Sequence, residues 1–179
     1  MLLNEIILPS ILLSAIKRNN LPFVKELIKY NNEFKVGLLT KKNDELQNIF
    51  HQVALNDTSE HVVRLLVQNM EGHEIRSIIN QKDIYRMTPL MLAVVKKKNG
   101  SILRLKKLGA TLGDGIFAFV QSQLIQIAAD GDTDGVFRYY KAGFQDFNQV
   151  VNVEMKTLAH IVRKYKKKIE IETICMIFF

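Results

Sequence analysis

Apolar residues along this chain come in paired short blocks, and each block has helical rather than strand spacing. The best-defined pair lies within residues 83–110, DIYRMTPLMLAVVKKKNGSILRLKKLGA. Thr88, Pro89 and Leu90 open an apolar run that ends at Ala93. A basic turn follows, then a second apolar block, then Gly109 and Ala110. Thr88 is predicted to cap the first helix with its hydroxyl, and Pro89 stands at the first helical position, where it loses no needed hydrogen bond. Gly109 is predicted to end the second helix in the left-handed conformation. Two helices this short cannot bury their apolar faces alone, so the pattern predicts stacked neighbours.

The same frame recurs on both sides. Asn48 opens a pair with His51 and Ala54 in the first block and Val62, Val63, Leu65 and Leu66 in the second. Ser10 opens another, with Ala15, then Phe23, Val24, Leu27 and Ile28. Downstream, Ser122 opens a pair with Ala128 and Ala129, then Val136, Phe137, Tyr139 and Tyr140, closed by Ala142 and Gly143. Thr157 opens the last, with His160 in the slot that His51 occupies. The openings at 10, 48, 88, 122 and 157 are 38, 40, 34 and 35 residues apart. No alternating run is long enough for an ordinary sheet.

Taken in order, Thr88-Pro89-Leu90, Ala93 and the Gly109-Ala110 close resemble one ankyrin repeat, a unit of about 33 residues. The resemblance implies an all-α ankyrin-repeat solenoid of about five helix-turn-helix repeats, forming a single domain over residues 1–179. The surplus length falls in connectors, mainly residues 29–44 and 69–82. Such repeats present a hairpin finger before each first helix, usually of the form D-x-x-G-x-T. Asp83 keeps the aspartate, but Arg86 replaces the glycine; Asn152 and Met155 stand at the matching places of the last repeat. Loss of glycine makes a left-handed turn harder to form, which predicts irregular fingers.

The stretch GATLGDGIFAFVQSQLIQIAADGDTDGVFRYYKAG, after the TPL repeat, also resembles the C-terminal ankyrin region of animal-type L-asparaginases, described as lysophospholipases too. The catalytic T-G-G-T and H-G-T-D-T motifs of those enzymes do not occur here. That resemblance implies an accessory half whose catalytic domain is absent.

Composition changes little. The 179 residues are 47% hydrophobic and 24% charged, with a net charge of +7. No stretch of about 18 uncharged apolar residues is present, so no spanning helix is expected. The single cysteine, Cys175, cannot form an internal disulfide and suits a reducing, cytoplasmic setting. The N-terminus lacks the basic region of a signal peptide, carries Glu5 and is interrupted by Pro9.

The residues point to no reaction. His51 and His160 read as ties between adjacent repeats, and Cys175 as a small buried hydrophobe. Nothing has the spacing of a zinc site or a phosphate loop. Asp130-Gly-Asp132-Thr-Asp134-Gly135 begins like a calcium loop, yet Lys141 stands where such a loop needs glutamate. The stretch reads instead as an inter-helix turn capped by Asp134. No cofactor and no metal are expected.

What the frame does predict is a binding surface. Fingers and first helices form the concave face of such arrays, so the candidate protein-binding residues are Gln47, Asn48, Asp83, Tyr85, Arg86 and Met87, with Glu154 and Lys156 in the last repeat. A second candidate is a basic edge at the turns between paired helices: Lys96, Lys97 and Lys98, then Lys166, Lys167 and Lys168. Asn56-Asp57, Asp130 and Asp132 break that edge into patches. The expected partner is a protein of unknown identity; a basic scaffold for nucleic acid or a membrane surface is the alternative.

Overall fold

The structure is a computed structural model that describes residues 2–113 and 117–144. The described residues hold helices and no strand, as the periodicity predicts. They divide into two compact units at the junction of Thr111 and Leu112. The fifth opening at Thr157, with His160 and Cys175, lies outside the described residues.

In the first unit, helices alternate between two rows. The first helices are α1 (Leu2–Lys17), α3 (Ile49–Asn56) and α6 (Pro89–Val95). The second helices are α2 (Leu21–Phe34), α4 (Glu60–Gln68) and α7 (Asn99–Lys107). Helix α1 packs on α3 and α3 on α6, while α2 packs on α4. A short helix, α5 (Gly72–Ile78), sits in the connector between α4 and α6. The sequence frame holds no place for it.

The packing follows from the spacing. On α4, Val62, Val63 and Leu66 are buried, whereas Glu60, Arg64 and Gln68 face water. Phe50, Leu66, Leu90, Ile102 and Leu105 are fully buried between the rows. Each such side chain contributes about 1.5–3 kcal/mol by leaving water.

Turns between paired helices also repeat. Asn19, Asp57, Lys97 and Gly131 all take the left-handed conformation, at φ of 52°, 49°, 58° and 69°. They are 38, 40 and 34 residues apart, the same intervals as the first four openings. In three of these turns the chain closes on itself in the same way. The N–H groups of Asn20, Lys98 and Asp132 donate to the carbonyls of Ala15, Ala93 and Ile127 at 2.8–3.0 Å. A left-handed residue terminates each first helix, and only Gly131 takes that shape without steric cost.

Two openings differ from their predicted form. Helix α1 begins at Leu2, so Ser10 lies mid-helix, with Pro9 beside it inside the same helix. In the second unit, α8 (Phe117–Ala129) likewise begins before Ser122. Helix α9 (Thr133–Lys141) packs on α8. The cap of α9 is Asp132, not Asp134. Its Oδ1 accepts from the Gly135 N–H at 2.8 Å, and its Oδ2 accepts from Arg138 at 3.0 Å. The acidic stretch is therefore a turn, as expected, though with a different carboxylate in the cap. Gly135 cannot carry a side chain there, because a Cβ would run into Ile127 of α8.

Candidate functional site

Two fingers precede α3 and α6, and their backbones are the same. The second runs from Asp83 to Thr88. Its Asp83 Oδ1 accepts from the N–H groups of Tyr85 and Met87 at 2.9 and 3.0 Å. Asp83 N–H donates to the Met87 carbonyl at 3.0 Å, and Arg86 N–H to the Asp83 carbonyl at 2.9 Å. The first runs from Asn43 to Asn48, 40 residues earlier. There Asn43 Oδ1 accepts from Glu45 and Gln47 at 3.1 and 2.8 Å. Asn43 N–H donates to Gln47, and Leu46 N–H to Asn43, both at 2.9 Å. The fingers touch through the Ile84 N–H, which donates to the Glu45 carbonyl at 3.1 Å.

The second finger is regular, contrary to the irregularity expected from its missing glycine, and so is the first; the finger of the last repeat, at Asn152 and Met155, lies outside the described residues. Arg86 takes a φ of 62° and Leu46 a φ of 56°. The side-chain acceptor at the start of each turn, with the backbone bonds across it, holds a non-glycine residue in the left-handed region at a cost of about 1–2 kcal/mol.

At the base of the fingers the caps join neighbouring repeats. Asn48 Oδ1 accepts from Phe50 and His51 N–H at 3.0 and 3.3 Å, and its Nδ2 donates to the Ile78 carbonyl at 2.7 Å. Thr88 does the same with one hydroxyl, accepting from Met91 N–H at 3.3 Å and donating to the Thr111 carbonyl at 3.1 Å. His51 adds a second tie. Its Nδ1 accepts from Asn48 N–H at 3.2 Å, which leaves the proton on Nε2, 3.2 Å from the Met87 carbonyl. Burial holds the imidazole pKa below its ordinary value, against the raising effects of the Met87 bond and the nearby Asp83 carboxylate. His51 is thus a neutral structural tie, as its place in the frame predicts.

Between the first finger and helices α1 and α3 lies an open groove of about 540 Å³. Ser10, Ser14 and Lys17 of α1 line one side, Gln52 and Leu55 of α3 the other, and Asn43 to Glu45 the finger end. Gln47 and Gln52 form its floor, with Gln52 Nε2 donating to Gln47 Oε1 at 2.8 Å.

The candidate binding residues separate by burial. Gln47, Asn48 and Asp83 are buried and engaged in the bonds above, so their side chains present almost no surface. Met87 is half-buried, and its carbonyl receives His51. Tyr85 is 67% exposed, and Arg86 is exposed beside it. Glu154 and Lys156 lie outside the described residues. Leu46 and Ile84, 47% and 48% exposed, were not among the candidates. Leu46 could have been found by shifting the Asp83 frame back 40 positions. Ile84, next to Asp83, carried no signal beyond its place in the finger.

Of the candidate basic edge, the structure describes Lys96 to Lys98. Lys96 caps α6, Lys97 takes the left-handed turn and Lys98 precedes α7. Lys166 to Lys168 lie outside the described residues. In the adjoining turn, Asp57 accepts from Arg104 at 3.1 Å and from the buried Ser101 hydroxyl at 3.2 Å. The edge is interrupted where the sequence places its acidic residue.

Among the described residues, no helix is long and apolar enough to cross a membrane. No group of three or more histidine, cysteine or acidic side chains among them is placed to hold a metal. No curated protein matches the chain, asparaginase-type enzymes included. A family model described as ankyrin repeats (3 copies) matches residues 10–112, more than half of the sequence. That span holds the two fingers, the groove and the ties between repeats, and the chain belongs to the ankyrin-repeat family.

Proposed function

We propose that this chain is a non-catalytic protein-interaction module whose partner meets the finger tips and the adjoining groove. Ankyrin repeats are generally protein-interaction modules, and fold alone does not name the partner. The observation that carries the reading is the groove of about 540 Å³ between α1, α3 and the first finger. Its polar lining offers a partner segment hydrogen-bonding groups on three sides. Tyr85 and Arg86 stand exposed on the second finger, which is bonded to the first through Ile84 and Glu45. His51, the buried imidazole that chemistry would need, is already committed to holding repeats together. The single cysteine supports a cytoplasmic setting.

The test is site-specific photo-crosslinking in cell lysate. A crosslinker in place of Tyr85 is expected to capture a discrete protein. The same group in place of Phe23, exposed on α2, is expected to capture none. Capture from position 23 alone would sink the reading.

A further inference from the structure

We infer that the finger tips dock a protein segment carrying one aspartate or glutamate among apolar side chains, with Arg86 binding the carboxylate. The inference rests on the interaction reading above and adds the chemistry of the partner.

Leu46, Ile84 and Tyr85 are large, exposed side chains on two fingers joined by the Ile84–Glu45 backbone bond. Single exposed apolar residues are ordinary, but a run shared between adjacent turns is the kind of patch that marks an interface. Folding does not account for it. Leu46 and Arg86 hold left-handed conformations that glycine would adopt without strain. The Arg86 side chain makes no hydrogen bond or ion pair with any described residue. Asp83, three residues back, is no partner for it: its Oδ1 is turned inward on the backbone of its own turn, and its Oδ2 is buried and bonded to nothing among the described residues.

The guanidinium therefore keeps all its donors for a ligand, and its planar fork fits a carboxylate in a bidentate pair. The surroundings choose between sources of negative charge. Asp44 and Glu45 lie exposed on the first finger, without ion partners among the described residues, and repel a continuous anionic surface such as nucleic acid or an acidic membrane. An isolated carboxylate flanked by apolar groups meets no such penalty. Its neighbours bury Ile84, Tyr85 and Leu46, and the chain's charge of +7 speeds the encounter. Tyrosine and arginine side by side are also the residues in which binding energy concentrates.

The experiment is a random-peptide display selection on the full chain, followed by fluorescence anisotropy of the enriched peptides. The key variant is Arg86→Gly. Glycine suits that backbone, so the melting temperature is expected to hold or rise while affinity falls at least about tenfold, one charge-assisted pair's worth. Arg86→Glu is expected to turn the selection toward lysine and arginine. Enriched peptides lacking acidic residues, or bound equally by Arg86→Gly, would overturn the inference and leave the interaction reading standing. Binding of duplex DNA or phosphatidylserine vesicles, with no peptide enriched, would overturn it as well. If crosslinking from position 85 were also empty, the interaction reading would fall with it.

Discussion

The two fingers have one backbone and two sequences. Asn43-Asp-Glu-Leu-Gln-Asn48 and Asp83-Ile-Tyr-Arg-Met-Thr88 share the same backbone bonds, the same left-handed fourth residue and a cap at the sixth position. Between them they share no identical residue at any matching position. The turn is specified by a side-chain oxygen at its first position and a capping oxygen at its last. The intervening residues are left to vary, and Tyr85, Arg86, Leu46 and Ile84, which face outward, all lie among them.

The caps are the place where the comparison breaks most sharply. Asn48→Ala removes two acceptor bonds and the Nδ2 bond to the Ile78 carbonyl, which keeps only its 3.2 Å bond from the Gln81 N–H. A loss of about 2.5 kcal/mol is expected, the sum of a cap and a buried hydrogen bond. Thr88→Ala, which loses a single hydroxyl, is expected to cost about 2 kcal/mol. Urea unfolding of both variants measures the difference, and equal losses would mean that the extra acceptor bond of Asn48 adds no stability.

The first positions come next. Asp83→Ala strands two part-buried N–H groups and is expected to cost about 2 kcal/mol. Asn43→Ala, in a more exposed turn, is expected to cost about 1 kcal/mol. Asp83→Asn copies the first finger into the second. It is expected to stay within about 1 kcal/mol of the parent, because Asn43 makes the same pair of bonds.

Acid sharpens the comparison from another side, because only the first cap has a histidine behind it. The folded pKa of His51 is lowered, so the unfolded chain binds more protons just below the ordinary pKa of 6.5. Stability is whole above 6.5 and falls as pH drops through the lowered value, by at most about 1.4 kcal/mol per unit. Thermal melts between pH 7 and 5 are expected to show that slope, and His51→Gln to lack it. A slope unchanged in His51→Gln would assign the titration elsewhere. The smallest effect is Leu46→Gly. Relief of the left-handed strain, less the added freedom of the unfolded chain, is expected to stabilise by about 0.5 kcal/mol.

The sequence made the frame legible because its signals are periodic. Thr88, Pro89 and Gly109 carry direct local chemistry, and the structure places each in the role that chemistry dictates. Three features stayed hidden for physical reasons. Helix α5 is seven residues long, too short for apolar spacing to register against its connector. The first finger starts with asparagine and has leucine where glycine is usual, so neither end announced it. Buried and exposed finger residues could not be told apart either. Gln47 and Tyr85 are both polar-tipped residues of similar turns, and only packing decides that one is floor and the other tip.

Asn48 and His51, one helical turn apart, grip the chain at Ile78 and again at Met87. The segment between those two points is moored at both ends to the same helix start. Asn69 is still tied to the stack, its Oδ1 accepting from Asn32 of α2 at 3.0 Å, but the hydrogen bonds of residues 70–77 stay local, and that is where a whole extra helix fits in the connector. Residues 70–77 thus behave as a splice point. A label, a tag or a small folded domain placed there should leave the register of the repeats, and the fingers they carry, undisturbed.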